Sequence, residues 1–328
     1  MQMSPFAIGQ RSIDSRVPFN QRRLRLTLTE ARTGGTLLGD QGRSKLCLLG
    51  GAKGVRDLKK LVVLAALTTL AFTALVGSAS ASHSWGKYHW ARTSNPFTLK
   101  LGDNTSSPWT TMLNTASSQW SVPNVLNTNV ASGGTTPATC AATSGRVEVC
   151  NYDFGDTGWL GVAQIWIYVG GSHIAQGTVK LNDHYFGLGK TYRYNNSAEM
   201  QHVVCQEVGH TLGLDHQSTS GASLSTCMDY YHNTSDSDTQ STQPNQGDMD
   251  ELRCIYDPNV RNKVLTSGGH KCRGTGHLDS FNSVGGAFGS FPGAVPSFAP
   301  GTQVGESKYV DHLPDGGLLV TWITWANR

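Results

Sequence analysis

The sequence predicts an α+β domain, and three observations carry that prediction. Residues 97–101 (FTLKL) alternate polar and apolar side chains as a half-buried strand does. One amphipathic helical pattern follows, and then a run of β-prone segments parted by Gly, Asn and Asp clusters. Two further helical patterns close the series, with an irregular loop between them. Grouped strands with helices outside the group favour a mixed, mostly antiparallel, hairpin-connected sheet backed by helices.

Each element has a local reason. Ser107 and Pro108 make a helix start, because proline presets φ for the first turn. Trp109, Met112, Leu113, Ala116 and Trp120 then recur at helical spacing and form one buried face. The β-prone segments are residues 125–130, 146–152, 162–169 and 174–182. The second helix spans residues 198–212. Asn196 caps it, Glu199 three residues on suggests a capping box, and Met200, Val203, Val204, Val208 and Leu212 face inward. The third helix spans residues 247–256, with Met249, Leu252 and Ile255 inward. Residues 82–258 thus read as the main domain. Residues 259–328 read as a Gly-rich extension ending in a β-hairpin, since 309–313 and 318–325 alternate around Pro314-Asp315-Gly316-Gly317.

Of 328 residues, 15% are charged and 38% hydrophobic, which excludes a disordered chain. The net charge of +3 hides an asymmetry: residues 1–54 hold 9 Lys+Arg against 3 Asp+Glu, whereas residues 82–328 hold 14 against 19. The mildly acidic body has no electrostatic footprint for nucleic acid, so no such partner is expected. Lys59 and Lys60, the apolar run over 61–77 and Ala79-Ser80-Ala81 make residues 55–81 a secretory signal peptide, with cleavage before Ser82. The run is shorter than the ~20 apolar residues of a membrane span, so no anchor is expected after cleavage. Residues 1–54 read as an extension that is either disordered or wrongly included, with translation starting at Val55. The expected location is secreted and extracellular. Beyond Cys47 in the leader, six cysteines suit an oxidising compartment. Sequence proximity favours Cys140–Cys150, Cys205–Cys227 and Cys254–Cys272 among the possible pairings.

The informative stretch is residues 206–216, QEVGHTLGLDH. Positions 206 and 210 are one helical turn apart and project to the same side. Gly213 sits just past the helix end, where a left-handed residue lets the chain reverse and return His216 toward His210. One short segment can surround a metal in this way.

Here the chain resembles the metzincin zinc peptidases, most closely the secreted matrixin-like branch, whose pattern is HExxHxxGxxH followed by a Met-turn. Glu207, His210, Gly213 and His216 match in register, and Thr226-Cys227-Met228-Asp229-Tyr230 resembles the Met-turn, with Met228 under the metal. Residues 244–256 resemble the helix that closes such domains, and residues 174–182 the strand that borders the substrate cleft. The resemblance covers roughly residues 83–258. It implies a Zn²⁺ ion held by His210, His216 and the residue at position 206, and hydrolysis of peptide bonds in extracellular protein or peptide substrates. Glu207 would act as general base toward a metal-activated water, and Tyr230 would steady the oxyanion.

One position departs from the pattern: Gln206 stands where the first histidine belongs. Its carbonyl oxygen is neutral and harder than imidazole. Three readings stay open: direct ligation, a water in its place, or loss of metal and activity. The alternative function is accordingly a secreted pseudo-peptidase that keeps the fold and binds without cutting. His202 lies eight residues before His210, roughly 12 Å along one helix, and reads as a surface or supporting residue. Asp215 reads as a partner of a ligand. His173, His184 and His232 read as surface histidines, and Asp236 and Asp238 as solvated loop residues. A Cys205–Cys227 bridge would tie the active-site helix to the Met-turn.

Overall fold

The computed structural model describes residues 83–265, 270–272, 278–279, 302–303 and 307–326. All lie in the second of two units, residues 1–68 and 69–328. The predicted signal peptide, the extension before it and most of the Gly-rich stretch lie outside the described residues.

In chain order the elements are β1 (His89–Trp90), β2 (Phe97–Asn104), α1 (Trp109–Trp120), β3 (Leu126–Ser132), β4 (Val147–Tyr152), β5 (Trp159–Ile167) and β6 (His173–Asn182). Then come α2 (Ser197–Thr211), α3 (Gln246–Tyr256), the short strands β7 (Val264–Leu265), β8 (His270–Lys271) and β9 (Thr302–Gln303), and the hairpin β10 (Lys308–His312) and β11 (Leu318–Trp325). This mixture of helices and one large sheet is compatible with the α+β class. The large sheet runs β3–β2–β4–β6–β5–β11–β10–β9, with β1 also paired to β6.

The expectation of a mostly antiparallel, hairpin-connected sheet does not hold. The pairings β1–β6, β2–β3, β2–β4 and β4–β6 are parallel, whereas β5–β6, β5–β11, β10–β11 and β9–β10 are antiparallel. The cause is α1. A helix between β2 and β3 returns the chain to the end where it started, so the second strand must run parallel to the first. A second correction concerns the strand beside the motif helix. β6 is interior to the sheet, between β4 and β5. It is β5 that faces Glu207, for a Cβ at Gly161 would lie 2.8 Å from Glu207 Oε1 and 2.6 Å from Val203 Cγ1.

The helices pack because their apolar stripes face one another. Trp109, Leu113, Ala116 and Trp120 of α1 are buried, and Trp120 Nε1–H donates to the Cys205 carbonyl at 2.8 Å. α2 is buried along nearly its whole length, polar residues included. At Gly209 a Cβ would stand 2.6 Å from both Met228 Sδ and the Trp120 ring, so glycine allows α1, α2 and the Met228 segment to close on one another. α3 begins with a complete capping box, Asn245 with Asp248. Three disulfides join sequence neighbours: Cys140–Cys150, Cys205–Cys227 and Cys254–Cys272. Such bridges are the usage of an oxidising compartment. Among the described residues no helix is long and apolar enough to cross a membrane.

Candidate metal centre

The helix α2 positions the motif. Asn196 Oδ1 accepts from the Glu199 N–H at 2.9 Å and caps the helix. The box is incomplete, because the Glu199 carboxylate turns away to His202, His232 and the Asn233 N–H. At the other end Gly213 has φ +95°, and a Cβ there would lie 2.5 Å from the Tyr88 carbonyl oxygen. Glycine permits that reversal where a side chain would clash.

The reversal brings His216 onto His210, with the two Nε2 atoms 3.1 Å apart. Leu214 O lies 2.9 Å from His210 Nδ1. A carbonyl can only accept, so Nδ1 holds the proton and Nε2 presents its lone pair. Burial holds His210 down at about 4 and His216 well below its ordinary range, the latter helped by His210 itself. Both imidazoles are therefore neutral, the form that binds metal. Two nitrogens on one tetrahedral zinc stand roughly 3.3 Å apart, so this donor pair fits the ion.

Gln206 does not join them. Its Nε2 donates to Cys227 O at 2.8 Å and to Asp229 O at 2.7 Å, and its Oε1 accepts from the Thr324 hydroxyl. Through these bonds the amide ties α2 to the Met228 turn and to β11. Met228 is buried against Gly209, and Tyr230 meets His216 edge-on at 4.3 Å between ring centroids.

Glu207 is fully buried, and burial pushes its carboxyl up to about 8, an effect that the Thr324 hydroxyl only partly offsets. Thr324 Oγ1 contacts both Gln206 Oε1 and Glu207 Oε1. A hydroxyl has one proton to give, so both bonds form together when Glu207 carries its own proton. β11 therefore lies across the site. Trp322 stacks on His210 at 5.0 Å and 7°, and its Nε1–H donates to Asp215 Oδ1 at 3.3 Å. Lys308 holds the other Asp215 oxygen. Asp215 thus anchors the hairpin; its Oδ1 is 3.7 Å from His216 Nδ1, too far for a hydrogen bond.

No protein-family model and no curated protein matches this chain.

Trp322, Thr324 and Lys308 had no signal near the motif. Trp322 and Thr324 left one trace, the alternation of residues 318–325, which predicts a strand and not its neighbour, and Lys308 left none. The discounted histidines separate: His184 pairs with Asp153, His232 with Glu199, and His173 with Asp279. Asp236 is no idle loop residue, for it accepts from the Ser197 N–H at 2.6 Å at the start of α2. Asp238 accepts from the Tyr231 hydroxyl at 2.8 Å.

His202 is buried, not on the surface. Burial raises the Glu199 carboxyl, but the charges and hydrogen bonds of His202 and His232 outweigh it and hold the group at about 2. Burial likewise lowers His202, and Glu199 outweighs that and raises it. A carboxyl held below its unfolded value of 4.5 contributes stability above that value and loses it as pH falls toward the folded one. The raised His202 contributes stability in full below 6.5, lost as pH rises through its folded value. Glu199→Gln leaves buried histidines without their anion and is expected to cost about 3–5 kcal/mol near pH 6. Urea unfolding from pH 2 to 8 should also show a flatter acid limb in the variant.

Proposed function

We propose that this chain is a zinc-dependent endopeptidase of the metzincin type, acting on extended segments of extracellular proteins. The observation that carries the reading is the convergence of the His210 and His216 Nε2 atoms beside Glu207, both from one helix and its glycine-bent exit. His210 and His216 would hold the zinc, which when bound would supply a Lewis acid for a peptide carbonyl. Glu207 takes a proton from the attacking water and delivers it to the leaving amine. Tyr230, packed on His216, offers its hydroxyl to the oxyanion. The binding edge belongs to β5, whose outward N–H and C=O groups hold an extended peptide antiparallel once β11 leaves them. In the closed arrangement β11 occupies that edge, and Glu207 keeps its proton. Departure of Thr324 and Trp322 rehydrates the carboxyl and readies it as a base. The leader pattern and the three disulfides support export.

A second reading, a secreted binding module without catalysis, draws on the capture of the Gln206 amide by protein groups. Zinc content and casein hydrolysis of the purified chain separate the two. The peptidase binds zinc at His210 and His216, loses it in His210→Ala, and loses at least a hundredfold in hydrolysis in Glu207→Gln with zinc retained. Zinc-loaded protein without hydrolysis that Glu207→Gln abolishes, in the parent chain and in Trp322→Ala alike, would refute the peptidase.

A further inference from the structure

A second group of donors lies away from α2. His89 and His173 are direct partners in the parallel pairing of β1 with β6, so their side chains leave the same face of the sheet. The rings meet edge to face, with centroids 4.9 Å apart. Lys87 O lies 2.7 Å from His89 Nδ1, which fixes the proton there and leaves Nε2 as the donor atom. Asp279 arrives from the C-terminal extension. Its Oδ2 accepts from the Arg92 N–H at 2.9 Å, and its Oδ1 lies 2.9 Å from His173 Nε2 and 3.6 Å from His89 Nε2. One donor atom from each of the three residues falls within 4.8 Å of the others. The side chains of His89, His173 and Asp279 are only 2%, 17% and 2% exposed.

An ion-pair network is the competing explanation, since Arg92 Nη1 is 3.8 Å from Asp279 Oδ2. That guanidinium, however, is aimed elsewhere: its Nη2–H donates to Tyr256 O at 2.7 Å, and it lies over the Tyr256 ring. Arg92 also accounts only for Oδ2. His173 hydrogen-bonds Oδ1, and the approach of the second imidazole, His89, from the paired strand position is what that ion pair does not require. In the Glu199–His202–His232 group each imidazole lies within hydrogen-bond distance of its own carboxylate oxygen, whereas His89 Nε2 stands 3.6 Å from Asp279 Oδ1, beyond that reach.

We propose that His89, His173 and Asp279 form a second transition-metal site, with Zn²⁺ the occupant that two imidazoles and a carboxylate select. The ion would clamp the extension to the paired strands β1 and β6. Asp279 follows Cys272, which is bonded to Cys254 of α3, so the clamp would be a second staple on the chain between α3 and the β10–β11 hairpin.

The test uses the purified full chain carrying His210→Ala and His216→Ala, so that the α2 site cannot report. Zinc by mass spectrometry and the visible spectrum of the Co²⁺ form are measured after dialysis against each metal alone. One equivalent of zinc and a tetrahedral Co²⁺ spectrum are expected. Both are lost on adding His89→Ala or Asp279→Asn and unaffected by His232→Ala, and chelation lowers Tm only while the three donors are present. Two results would overturn the proposal: no zinc in the double variant with native circular dichroism, or zinc that survives His89→Ala and Asp279→Asn but leaves with His232→Ala. The loss of peptidase activity plays no part, so the outcome is independent of the function proposed for the α2 site.

Discussion

Gln206→Leu is expected to lower the unfolding free energy by about 2–6 kcal/mol, because the Cys227 and Asp229 carbonyls lose their donor at about 1–3 kcal/mol each. Leucine keeps the volume but offers no donor or acceptor. These groups are buried, so water does not replace what is lost. Zinc bound at His210 and His216 should stay near its parental stoichiometry, since the amide faces other groups. Gln206→His sets a contrasting expectation. One imidazole N–H cannot serve two carbonyls, so stability should fall by about 1–3 kcal/mol while zinc affinity rises. Urea unfolding with a parallel zinc titration checks both. A Gln206→Leu protein that is as stable as the parent but has lost its metal would make the amide a ligand after all.

Trp322→Ala should raise peptide hydrolysis by tenfold or more at equal zinc loading. Trp322 is fully buried, stacks on His210 and is hydrogen-bonded to Asp215, so it is the large side-chain hold of β11 on the site beside the backbone ladder to β5. Its removal costs about 3–5 kcal/mol and shifts the balance toward the arrangement in which the strand has left β5. The freed edge then accepts a substrate strand, and Glu207 loses the enclosure that keeps it protonated. Hydrolysis of a quenched peptide, normalised to bound zinc and to native circular dichroism, is the measurement. Unchanged or lower hydrolysis under those conditions would mean that β11 is part of the working site and not a cover over it.

Much of the fold was legible because its signals are local. The alternation of residues 97–101, the helical spacing from Trp109 to Trp120 and the Asn196 cap each depend on residues within a few positions of one another. Elements therefore fell within a few residues of their expected bounds. Strand direction was not legible, since it depends on how the α1 crossover threads the chain, and no local pattern records that. The capping box over-read Glu199 for a related reason: His202, His232 and Asn233 compete for its carboxylate, and His232 and Asn233 come from more than thirty positions away.

The sequence by itself determined the motif helix, its glycine exit and the return of His216, because a left-handed glycine one turn past His210 leaves the chain little other course. Tertiary structure alone decided what Gln206 does and what lies over Glu207. An amide side chain has equal capacity for a metal, a water or two carbonyls, and only the approach of the Met228 turn and of Thr324 selects among them. The same holds for His89, His173 and Asp279, separated by up to 190 positions in the chain and brought within reach of one another by β1 lying beside β6.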